Sequence, residues 1–135
     1  MASASVELQD LILARLKGWP ALTAILGGRV YDGPPSKPTF PYISLGPSDV
    51  VPMDADCFHD REETIQIDVW HRDQGRRWQC KATVDAVKDA LHEYAGDLAT
   101  HALVELRVEL ARVMDDPDGI TVHGVVQVTA LIEEA

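Results

Sequence analysis

The chain has 135 residues, 46% hydrophobic and 25% charged, with a formal net charge of −10 at pH 7. That length fits one domain over residues 1–135, and such a domain buries roughly two-thirds of its unfolded surface, a core that needs no disulfide or metal. The acidic balance argues against nucleic-acid binding, which takes Lys and Arg to displace phosphate counterions, and no apolar run approaches the ~20 residues of a membrane-spanning helix.

The first predicted element is a helix from Ser5 to Lys17. Leu8, Leu11, Ile12 and Leu16 fall on one face, Ser5 is the expected N-cap, and Gly18-Trp19-Pro20 ends the ladder. A short helical turn follows over Ala21–Leu26, stopped by Gly27-Gly28. Arg29–Asp32 reads as a short strand and Gly33–Pro38 as a loop. A second strand begins near Pro41, carries Tyr42–Leu45, and is bent at Gly46-Pro47 before Val50-Val51. Ile65, Ile67 and Val69 alternate with Thr64, Gln66 and Asp68, the period of a strand with one buried face.

From Gln74 to Tyr94 the period becomes helical. Cys80, Val84, Val87, Leu91 and Tyr94 form one stripe, and Gly96 is placed to close the helix. Two strands follow. One buries Ala102, Val104, Leu106, Val108 and Leu110; the other buries Val122, Val126, Val128, Ala130 and Ile132. Asp115–Gly119 turns between them. The order helix, strand pair, helix, strand pair predicts an α+β fold: a two-layer sandwich, with both helices on one face of an antiparallel sheet.

The chemistry-bearing residues do not assemble into a known centre. Asp54, Asp56, Cys57, His59 and Asp60 crowd one segment, followed by Glu62 and Glu63. The calcium-loop glycine is absent, Ile65 stands where the bidentate Glu belongs, and a second Cys/His pair for zinc is missing. A solvated acidic loop is the expectation, without metal or cofactor. No nucleophile elbow or phosphate loop is present. The N-terminus lacks the basic and apolar regions of a signal peptide, so a cytosolic chain is expected, with Cys57 and Cys80 as separate thiols. Trp70 falls on the polar face of its strand, where either the chain itself or a partner must cover it. These residues alone lead to a binding or assembly module.

Three stretches carry a resemblance. One is Leu22–Gly33, followed by Phe40-Pro41-Tyr42-Ile43-Ser44-Leu45-Gly46. The second is Val69-Trp70-His71-Arg72, leading into a helix with Val84-Asp85-Ala86-Val87 and Ala90-Leu91-His92. The third is Arg112–Gly119, then His123-Gly124-Val125-Val126. In order and spacing, over nearly the whole chain, they resemble the tail-completion (tail-terminator) family of long-tailed phages, prophages and gene-transfer-agent-like particles.

The resemblance implies a non-enzymatic subunit of a homo-oligomeric ring, usually hexameric, at the head-proximal end of the tail. Such a ring stops tail-tube polymerisation and joins the tail to the head connector in the neck of the virion, after assembly in the bacterial cytoplasm. Its partners would be further copies of itself, the tail-tube protein and the connector. DNA would pass through without specific binding, and no membrane is involved. The net charge of −10 and the acidic segment, and not the resemblance, make Asp54, Asp56 and Asp60 candidate lumen contacts, and the polar-face position of Trp70 makes it a candidate partner contact. The competing expectation is a small α+β ligand-binding or regulatory module, which would need an apolar pocket with converging polar groups.

Overall fold

The computed structural model describes residues 2–55 and 58–135. Helix α1 (Ala4–Lys17) buries Ala4, Leu8, Ile12 and Leu16, a strict i, i+4 stripe. Its N-cap is Ser3, whose side chain accepts from the Val6 N–H, and not Ser5 as expected. The Ser5 hydroxyl is instead committed to Glu63 at 2.8 Å. Helix α2 (Pro20–Leu26) opens on the proline, whose lost N–H is harmless there, and ends at Gly27 with φ 62°.

Five strands follow: β1 (Val30–Tyr31), β2 (Tyr42–Pro52), β3 (Asp60–Arg72), then after helix α3 (Trp78–Leu91), β4 (Ala102–Asp115) and β5 (Thr121–Glu133). They form one sheet in the order β1-β2-β3-β5-β4. The antiparallel expectation holds for β2–β3, β3–β5 and β5–β4, while the two-residue β1 pairs parallel with β2.

The helix-facing side of the sheet carries Ile43, Ile65, Ile67, Val69, Val122, Val126, Val128, Ala130 and Ile132, which join Cys80, Val84, Val87 and Leu91 of α3 in one core. The alternation of β3 and β5 and the stripe of α3 are thus as expected. Strand β4 is not. Register shifts between Leu103 and Glu105 and between Val108 and Leu110 break its period. Leu103, Leu106 and Val108 turn inward, leaving Val104 and Leu110 exposed; each bulge inserts one unpaired residue and reverses the parity.

Three further expectations are corrected, the first being the start of helix α3, which lies at Trp78 and not at Gln74, whose φ is 56°. Helix α3 ends at Leu91 with Glu93 at φ 60°, three residues before Gly96. Arg15 of α1 supplies the closing partner, its Nε donating to the Ala90 carbonyl at 2.9 Å, with the guanidinium 4.0 Å from the Tyr94 ring centroid and 4.6 Å from that of Trp19. The acidic loop shrinks to a tip: β2 runs on to Pro52 past a bulge at Gly46-Pro47, and Asp60–Glu63 belong to β3.

Candidate assembly surfaces

The β2–β3 hairpin makes a long arm. Val51 pairs with Glu62 and Pro52 with Arg61, and the tip closes through an Ala55–Phe58 bridge. Two kinds of residue mark it. Val50, Val51, Met53 and Phe58 are large, apolar and exposed. Acidic residues lie among them: Asp54 is exposed and meets His59 at 3.4 Å, while Asp60 is half-buried at the start of β3. Asp56 and Cys57 lie outside the described residues. Among the described residues no three His, Cys, Asp or Glu side chains gather as a metal-holding group.

The base of the arm is pinned. Glu63 is 1% exposed, on the helix side of the sheet. Its Oε1 accepts from Ser5 at 2.8 Å and from Arg61 at 3.4 Å, and Arg61 also donates to Glu134 at 2.7 Å. A buried carboxylate needs such partners. The network ties α1, β3 and the C-terminal residues together, so the arm projects from a fixed root.

On the sheet face away from the helices, Tyr42, Trp70 and His123 are register neighbours across β2, β3 and β5. Trp70 stacks on His123 at 3.9 Å and 6° and lies 6.3 Å from Tyr42; its Nε1 donates to Ser44 Oγ at 3.1 Å. The chain itself thus covers much of the Trp70 ring. Beside it, Asp68 Oδ1 accepts from His123 Nε2 at 2.7 Å and from Gln66 Nε2 at 2.8 Å. This Asp–His pair has the elements of an acid–base dyad, yet the nearby Ser44 hydroxyl serves Trp70, and the imidazole lies flat on the indole. The arrangement fixes side chains on a polar sheet face.

At the opposite end of the strands from the arm tip lies an apolar hollow of about 380 Å³, lined by Ile25, Pro41, His71, Trp78, Gln79 and Ala82. Trp78, in the first turn of α3, is 63% exposed. His71 is buried, and burial pushes its pKa below the ordinary value, a shift that Asp73 partly opposes. The Thr83 hydroxyl donates to the Gln79 carbonyl at 3.0 Å, so it accepts from His71 Nε2 at 2.8 Å, which fixes the Nε2–H tautomer. Cys80 is a free thiol in the core, pushed up to about 12 by burial, the state of an inert cysteine. The sequence singled out neither the hollow nor Trp78, because its lining comes from α2, the Pro41 segment, β3 and α3, elements that only the fold brings together.

The chain is thus a two-layer domain with an anchored arm, exposed apolar side chains and a pinned polar sheet face. The family model for tail completion protein gp17 matches residues 10–133, and the chain belongs to that family, which makes it a structural protein of a phage-type tail.

Among the solved structures that it resembles are two that overlap most of its length. A chain of the virion of a native gene transfer agent particle superposes with TM-score 0.90 and 25% identity, covering 98% of this chain and 99% of that one. The bacteriophage SPP1 gp17 protein shares the fold at TM-score 0.61 and 24% identity, covering 94% and 89%. No curated protein sequence matches.

Proposed function

We propose that this chain is the terminator subunit of a phage-like or gene-transfer-agent-like tail. Copies of it close into a ring, usually hexameric in such proteins, at the head-proximal end of the tail. The ring stops tube polymerisation and offers the head connector its docking surface. It acts without a chemical step, and DNA passes through it without specific binding. The observation that carries this reading is the family match over residues 10–133, supported by the nearly full-length superposition on a chain of a gene transfer agent virion.

A ring needs heterologous contacts, one surface meeting a different surface of the next copy. An arm at one end of the strands and a hollow at the other are of that kind. Within the ring, Asp54, Asp56 and Asp60 edge the lumen, where carboxylates repel passing phosphates. Trp70 stiffens the sheet face that a neighbour or the connector covers.

Treating purified particles with a lysine-reactive cross-linker tests the ring. A ladder of this chain ending at one fixed copy number is the expected result; a chain recovered only as a monomer, at one copy per particle, would overturn it.

A further inference from the structure

We infer that the ring contact is an arm-in-hollow joint: the tip of the β2–β3 arm of one copy seats Phe58, with Met53 and Val51 beside it, in the Ile25–Pro41–Trp78–Ala82 hollow of the next. The inference rests on the ring reading and names its contact.

The first support is unspent apolar surface at both sites. Val51 is 55% exposed, Met53 47% and Phe58 54%, all on one hairpin end, and Trp78 is 63% exposed at the rim of the hollow. Burying such groups against one another is the main drive for association, and aromatic anchors in pockets dominate interfaces. The hollow, about 380 Å³, lies within the range that holds a small organic group.

The second is position. The tip and the hollow lie at opposite ends of β2, which has 11 residues and so spans roughly 35 Å. Arm and hollow of one copy therefore cannot meet each other, whereas the arm of one copy and the hollow of the next can meet head to tail, as a closed ring requires.

The third is the state of the sheet edges. The competing way to join copies, strand addition at the sheet edges, is guarded: β4 carries two bulges and alternating charges, and β2 carries Pro47, Asp49 and Pro52.

The test is a photo-reactive benzoylphenylalanine in place of Phe58, incorporated in assembled particles built from mixed isotope-labelled copies. The expected product joins position 58 of one copy to a peptide holding Ile25, Pro41, Trp78 or Ala82 of another. A cross-link from position 58 to tube or connector protein, or elsewhere on a second copy, overturns this contact; the lysine cross-link ladder of the same particles then says whether the ring stands without it. Phe58→Asp and Trp78→Asp each remove an exposed side chain. Both variants should stay folded, with unshifted thermal midpoints, and each should lower the yield of joined particles at least tenfold. Wild-type yield from both would also overturn the joint.

Discussion

Val84 leaves no room for a side chain on Gly124: a Cβ placed there would lie 2.6 Å from Val84 Cγ2, 3.0 Å from Cys80 Sγ and 3.1 Å from Val69 Cβ. Helix α3 thus rests directly on the β5 backbone. Gly124→Ala should force the helix outward and destabilise the protein by about 1–3 kcal/mol, seen as a lower denaturant midpoint. An unchanged midpoint would mean that α3 can shift at no cost.

Arg15 joins the two long helices. Its guanidinium lies between the Trp19 and Tyr94 rings while its Nε caps the Ala90 carbonyl. Arg15→Ala loses the stacking and the charge-assisted bond, for a cost of about 1–2 kcal/mol at a half-exposed site. Arg15→Lys should recover only part of it, since an ammonium lacks the planar fork. Equal midpoints for wild type and Arg15→Ala would contradict this.

Glu63 and Asp54 are close in sequence and differ in consequence. Glu63→Ala strips Ser5 and Arg61 of a buried acceptor and should cost about 1–3 kcal/mol. Asp54, on the exposed tip, should tolerate Ala within about 0.5 kcal/mol. Equilibrium unfolding of the two variants side by side makes the comparison; equal effects would mean that the Glu63 network does not anchor the arm.

His71 sets a pH dependence. Burial lowers its folded pKa below the ordinary 6.5, so below that pH the unfolded chain binds more protons than the folded one. The stability this neutral imidazole contributes is complete above pH 6.5 and is lost as pH falls through it. In His71→Gln, which keeps a donor for Thr83, the decline in stability just below pH 6.5 should be shallower than in wild type. Parallel curves would show that His71 titrates alike in both states.

What could be read from the sequence follows from how local each cause is. The stripe of α3 and the alternation of β3 and β5 are set by single-element periodicity, and their residues form the core. Strand β4 escaped because two bulges shift a phase that a regular count assumes constant. The arm escaped because Asp60–Glu63 look like a solvated run, yet they pair with β2 on one side and β5 on the other, and Arg61 and Ser5 satisfy the one carboxylate turned inward. The polar-face position of Trp70 was legible; its stacking partners, Tyr42 and His123, are distant in sequence and meet it only through sheet register. The hollow is wholly tertiary.

The central claim is that this chain ends the tail and joins it to the head. The most direct measurement is electron microscopy, with a titre, of particles produced without the protein. The account predicts DNA-filled heads beside separate tails, unjoined or overlong, and a titre restored when the wild-type chain is supplied. Normal, joined and infectious or DNA-transferring particles in its absence would contradict it.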